Sequence, residues 1–152
     1  MRLTAFTDYT LRVLMYLALR PGRLATIPEM ARAYGISENH LMKVVHKLAR
    51  DGLIESLRGK GGGVRLMRAP SDIRLGALVR ASEGEAAIVE CFSSDVSACR
   101  IAPSCRLAGI LGEAFEQLYA TLDTYTLADL VVNERELVRL FPDAARMAGA
   151  PA

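Results

Sequence analysis

Apolar residues recur at helical spacing through the first third of the chain, and polar or small residues mark where each helix stops. Leu11, Leu14, Met15 and Ala18 define a helix from Thr7 or Asp8 to about Leu19, closed by Pro21-Gly22. Thr26 with Glu29 three residues on has the capping-box spacing, in which hydroxyl and carboxylate each satisfy a free backbone N–H; Gly35 ends this short helix. Ser37 suits the N-cap of a further helix that runs to about Arg50, before Asp51-Gly52. Leu41, Val44, Val45 and Leu48 form its apolar stripe, and Asn39, His40, Lys43 and Lys47 lie on the opposite face. The period then changes. Residues 53–58 and 64–67 read as two strands around the glycine-rich turn Gly59-Lys60-Gly61-Gly62-Gly63.

Beyond the hairpin, Ile73, Leu75, Leu78 and Val79 predict a helix from Ser71 to about Ser82, expected to return to the first domain. Residues 84–105 show no convincing period and read as an exposed loop. From Arg106 to about Thr121, Leu107, Ile110, Leu111, Ala114, Phe115 and Leu118 build an apolar face wide enough to need a partner, expected to be a second subunit. A short helix follows from Thr126, and the Pro/Ala/Gly-rich tail is expected to fray. The expected fold is mostly α (α+β): a winged helix-turn-helix domain over 1–83, a cysteine loop over 84–105, a dimerisation helix and C-terminal helix over 106–141, and a tail over 142–152.

Charge gives the first half a job. The net charge of +2 is a sum of opposites: residues 1–70 hold 12 Lys+Arg against 5 Asp+Glu, and residues 71–152 hold 7 against 12. A basic first half points to a polyanion, and a helix-turn-helix meets double-stranded DNA by laying its second helix in the major groove. The residues placed to do so are Ser37, Asn39, His40, Lys43 and Lys47. In the wing, Arg58, Lys60 and Arg65 stand beside glycines, Gly61 among them, that let backbone approach phosphate. For any single cation a solvated surface role is the commoner one; the combination favours DNA. The glycine run lacks the phosphate-loop pattern and joins two strands, which argues against nucleotide hydrolysis. No acid, base and nucleophile gather, so no enzyme is expected. No apolar run approaches the ~20 residues that span a bilayer, and MRLTAFTDYT lacks a signal peptide's apolar core, so a cytoplasmic address without a membrane partner is expected.

The cysteines, Cys91, Cys99 and Cys105, lie within 15 residues, spaced C-x7-C-x5-C. An odd number in a cytosolic context argues against a disulfide framework, and no close pair of zinc-finger or thioredoxin type occurs. Three thiolates can hold an iron–sulfur cluster by three corners, leaving iron open to small molecules, as suits a sensor. Reactive thiols in a cluster-free redox sensor, or a zinc or iron–sulfur protein of electron transfer, stay as alternatives.

MRLTAFTDYTLRVLMYLA, SENHLMKVVHKLARDGLIES, RGKGGGVRL, the cysteine set and LDTYTLADLV together resemble the nitric-oxide-sensing NsrR group within the winged-helix repressor family that also contains IscR. The resemblance runs from Met1 to about Leu140. It implies a homodimeric repressor with crossed long helices and a [4Fe–4S] or [2Fe–2S] cluster on Cys91, Cys99 and Cys105. Nitric oxide would be the effector that releases operator DNA and derepresses nitric oxide detoxification genes. IscR-like members place a His three residues after the last Cys, where this chain has Ala108. NsrR-like members use an acidic residue of the partner subunit near the start of the first helix, which Asp8 matches; its rival role is an N-cap or first-turn acid. The gap between Cys91 and Cys99 is longer than the family's usual spacing.

Overall fold

A computed structural model describes residues 3–84, 100–101 and 104–141. The chain divides into two compact units, one of residues 1–73 and 126–152 and the other of residues 74–125.

In the first unit, α1 (Ala5–Ala18), α2 (Ile27–Tyr34) and α3 (Glu38–Arg50) precede strands β1 (Ile54–Leu57) and β2 (Gly63–Leu66). α1 starts earlier than its apolar stripe suggests, because the Thr4 hydroxyl accepts from the Thr7 N–H at 3.2 Å and so caps the helix. Asp8 is therefore a first-turn acid and not the N-cap. α2 carries both halves of the capping box, with Thr26 and Glu29, and ends at Gly35 in the left-handed region (φ 64°), where glycine alone is unstrained. α3 is capped by Ser37, whose hydroxyl accepts from the His40 N–H at 3.3 Å. α1 packs on α3, burying Val13, Leu14 and Leu17 of the first and Leu41, Val44 and Leu48 of the second, and Met30, Ile54, Val64 and Leu127 complete a buried core.

The hairpin is antiparallel, with Glu55 opposite Arg65 and Leu57 opposite Gly63. A connection absent from the hydropathy pattern pins it: Ala25, just before α2, exchanges two backbone hydrogen bonds with Val64, at 2.9 and 2.8 Å. Glycine is needed in the turn for this closeness. A Cβ on Gly62 would stand 2.2 Å from the Leu57 carbonyl oxygen, and one on Gly63 2.8 Å from that of Ala25. A 3₁₀ turn (Leu127–Val131), with Thr126 and Asp129 as its capping box, and α6 (Glu134–Arg139) also belong to this unit.

The expected helix from Ser71 begins later. Pro70–Asp72 is a 3₁₀ turn, Ile73 is extended, and α4 spans Leu75–Glu83. The extended break is held open by backbone pairing, since the Ile73 carbonyl accepts from Leu127 N–H at 2.9 Å and Leu75 N–H donates to Tyr125 O at 3.1 Å. In the second unit α4 buries Leu75, Gly76, Leu78 and Val79, and α5 spans Leu107–Leu122. The two cross closely at Gly76, where a Cβ would stand 2.2 Å from the Tyr119 carbonyl oxygen. Asp123 Oδ1 accepts from the Ala77 N–H at 2.8 Å and so supplies the cap that α4 otherwise lacks. No side chain of α5 is fully buried, and Leu107 and Ile110 are about half exposed. Among the described residues no helix is long and apolar enough to cross a membrane.

Candidate functional site

The exposed face of α3 follows from its packing. Burying the Leu41, Val44, Val45 and Leu48 stripe turns Asn39, His40, Lys43 and, half-buried, Lys47 away from the core. The Ser37 side chain is occupied as the cap, which leaves Asn39 and His40, beside the acidic Glu38, as the polar groups of the first turn able to donate a hydrogen bond. His40 is not isolated: its ring lies 5.9 Å from that of Tyr9 on α1, tilted by 32°.

The predicted cations divide into two sets. Lys47 is paired with Asp51 one turn on, and Arg65 with Glu55 across the hairpin. Lys43, Arg58 and Lys60 are exposed and have no ion pair among the described residues. Gly61 sits at the wing tip with φ 82°, so its role in the turn is conformational as well as one of access. Two further exposed cations, Arg50 at the end of α3 and Arg68 after β2, share these surfaces. Their signal was present, a Lys/Arg just past each apolar stripe, but it is the same signal that marks an ordinary helix or strand end.

Behind α3, α1 and α2 are joined by a buried polar cluster that hydropathy does not reveal. The Arg20 guanidinium, with its side chain only 2% exposed, pairs with Glu29 and lies 3.9 Å from the centre of the Tyr16 ring. The Tyr16 hydroxyl donates to Glu29 Oε1 at 3.0 Å. Burial works to raise the Glu29 carboxyl, but the Arg20 hydrogen bond, the Thr26 N–H, the Arg20 charge and the Tyr16 hydroxyl outweigh it, and its pKa falls below 4.5. Burial also pushes the Tyr16 and Tyr34 hydroxyls well above their usual range. Glu29 thus caps the helix-turn-helix and fastens it to α1.

Of the predicted metal ligands, Cys91 and Cys99 lie outside the described residues. Cys105 stands just before α5, half-buried, in an open cleft of about 380 Å³ lined also by Arg100, Ile101 and Ser104. Arg106 provides no side-chain cap for α5, and the Leu107 N–H instead donates to Cys105 Sγ at 3.4 Å. The Cys105 sulfur thus stands as a hydrogen-bond acceptor at the start of α5. Asp8 lies on the other unit, half exposed, in an i,i+4 ion pair with Arg12 at 3.0 Å. Among the described residues no group of three or more His, Cys, Asp or Glu is gathered.

Residues 3–133 match the Rrf2 family, described as iron-dependent transcriptional regulators. The chain is 48% identical over 141 residues to the HTH-type transcriptional regulator NsrR of Bacillus subtilis, covering 92% of this chain and 97% of that one. Its identity to the NsrR of Halalkalibacterium halodurans is 46%, with the same coverage. Among solved structures, T. potens IscR is similar with a TM-score of 0.66 at 25% identity, covering 88% of each chain. CymR (YrzC), the global cysteine regulator of B. subtilis, is similar with a TM-score of 0.65 at 26% identity, covering 86% of this chain and 95% of that one. These relatives are regulators and not enzymes, in agreement with the expectation from sequence. The capped, outward-facing α3, the pinned wing and these likenesses lead to one assignment: the chain belongs to the Rrf2 family of DNA-binding transcriptional regulators, where it groups with the NsrR proteins.

Proposed function

We propose that the protein is a homodimeric, cytoplasmic repressor that reads a near-palindromic operator and is released from it by nitric oxide, through an iron–sulfur cluster held by Cys91, Cys99, Cys105 and Asp8 of the partner subunit. The observation that carries the DNA reading is α3, whose first turn presents Asn39 and His40 outward from a cap that fixes the backbone. Asn39 offers a bidentate pair to adenine, and Lys43, Arg58 and Lys60 offer charge to phosphates on either side. Gly61 brings the wing backbone close, while Lys47 and Arg65 would have to share their charge with Asp51 and Glu55. Ser37 would act by holding the first turn.

A second copy accounts for α5. Its apolar face is left uncovered by α4, and pairing two such faces would bury Leu107 and Ile110 about a two-fold axis. Two reading heads then address successive major grooves. The cysteine donor set is soft, as iron–sulfur ligation requires, and the family's description as iron-dependent supports it. When bound, the cluster supplies iron that a small diatomic molecule can reach, above all at the corner where a hard carboxylate replaces a thiolate. Arg12 gives the Asp8 carboxylate an alternative partner whenever it is not a ligand.

Anaerobic purification should yield a coloured protein with stoichiometric iron and sulfide, and nitric oxide should abolish its binding to an operator duplex. Operator binding that ignores cluster loss would refute the switch. An unchanged visible spectrum in Asp8→Ala would return Asp8 to its ion pair with Arg12. A colourless protein that instead forms a disulfide among the three cysteines would indicate a thiol sensor.

A further inference from the structure

The Tyr9–His40 contact joins the two ends of the proposed switch. Tyr9 follows Asp8 in α1, and His40 is the third residue of α3. The His40 backbone is already fixed, since its N–H donates to the Ser37 hydroxyl at 3.3 Å and to the Ser37 carbonyl at 3.1 Å. Only its side-chain torsions remain free. An exposed imidazole on a helix surface would ordinarily sample several rotamers, and each would aim its ring nitrogens at a different point in a groove. Tyr9, half-buried and on a helix packed into the core, places its ring 5.9 Å from the imidazole at a tilt of 32°, within the range of a favourable aromatic pair.

We propose that Tyr9 is a positioning residue for operator reading: its ring holds the His40 imidazole in the orientation that meets a base edge. The proposal rests on the reading that α3 enters the major groove. It also makes the turn of α1 that carries Asp8 the same turn that sets the leading edge of α3. Tyr9 itself need not touch DNA. Its effect should therefore appear in discrimination between sequences and not in general attraction to phosphate, which salt dependence reports.

The test uses the anaerobic, cluster-loaded protein and two duplexes of equal length. One carries the site that the wild type selects from a random library, and the other is a scrambled sequence. Binding is followed by fluorescence anisotropy at several salt concentrations for wild type, Tyr9→Leu, Tyr9→Phe, His40→Ala and the Tyr9→Leu/His40→Ala double variant. Tyr9→Leu should lose roughly 3- to 10-fold in affinity for the selected duplex, as expected for removal of one aromatic pair. Scrambled-duplex affinity and the salt slope should not change. Tyr9→Phe, which keeps the ring, should match the wild type, and Tyr9→Leu should add nothing once His40 is Ala. Additive losses in the double variant, or equal losses on both duplexes, would overturn the positioning role while leaving α3 as the reading helix. A His40→Ala variant that binds the selected duplex like wild type would overturn it too, by leaving nothing to position. Failure of the wild type to select any duplex would instead refute the DNA reading on which the proposal stands. His40→Ala and Tyr9→Phe change an exposed ring and a hydroxyl, so both remain informative if Tyr9→Leu folds poorly.

Discussion

Replacing Glu29 by Ala tests how the helix-turn-helix is fastened to α1. The carboxylate has four duties: it accepts the Thr26 N–H as half of the capping box, accepts the Tyr16 hydroxyl, balances Arg20, and lies 3.6 Å from the Arg23 guanidinium. Arg20 has little else. Its side chain is 2% exposed, its Nε finds no hydrogen-bond partner, and the Tyr16 ring face compensates only part of the charge. Breaking a buried pair from one side costs ~3–5 kcal/mol, because the remaining charge is left uncompensated. Losing the cap adds ~0.5–1 kcal/mol. At ~2–4 °C per kcal/mol for a chain of this size, Tm should fall by roughly 10 °C or more. Urea unfolding followed by circular dichroism gives the free energy directly. Arg20→Met/Glu29→Met, which removes both charges and fills the space, should be far milder than Glu29→Ala. The pH dependence has a defined sign. The folded-state pKa of Glu29 is lowered, so its contribution is complete above 4.5 and is lost as pH falls through the lowered value. Stability of the wild type should therefore decline more steeply below pH 4.5 than that of Glu29→Gln. A Glu29→Ala cost under 1 kcal/mol, or a double variant as unstable as the single one, would refute the argument that Arg20 depends on this carboxylate.

Gly76→Ala should destabilise the α4–α5 unit by ~1–3 kcal/mol, because its Cβ would stand 2.2 Å from the Tyr119 carbonyl oxygen and backbone must move; thermal melting checks it. Lys43→Ala should lower the slope of log K against log salt by about 1, as for a lysine facing a phosphate, whereas Lys47→Ala should lower it less because Asp51 already shares its charge. Equal slopes for the two variants would show that the Lys47–Asp51 pair opens on DNA.

The elements legible in the sequence are those whose cause is local. Thr26, Glu29 and Gly35 lie within one helix length, so the start and stop of α2 can be read directly, and the same holds for Ser37 and the buried stripe of α3. What was not legible depends on residues far apart along the chain. The same Glu29 that reads as half of a capping box also reaches Arg20 and Tyr16, and nothing in its local pattern indicates the second duty. The break before α4 depends on the backbone near Tyr125 and Leu127, some fifty residues on, which is why helical spacing from Ile73 overruns it. Glycines of the wing could be recognised as a turn, but the close approach of Ala25 that requires Gly63 could not. At the candidate metal centre, the thiols were evident from clustering alone. The role of Cys105 Sγ as acceptor for the first N–H of α5 was not.

Charge shows how far such non-local pairing changes a functional argument. The first 70 residues carry an excess of seven positive charges, which suggests a generally basic domain. Yet Arg12, Arg20, Arg23, Lys47 and Arg65 are engaged with Asp8, Glu29, Asp51 and Glu55. Glu38 is the one acidic residue of this region without an ion pair among the described residues, and it lies in the first turn of α3, where the helix dipole favours it. The pairing leaves the total unchanged but redistributes it. The positive field that remains unneutralised comes largely from Arg32 on α2, from Lys43 and Arg50 on α3, and from Arg58, Lys60 and Arg68 on and beside the hairpin. A close ion pair appears as a weak dipole at the distance of a phosphate, whereas an unpaired lysine retains its full charge there. The number of counterions released on binding should therefore follow these unpaired side chains, and not the count of basic residues in the domain.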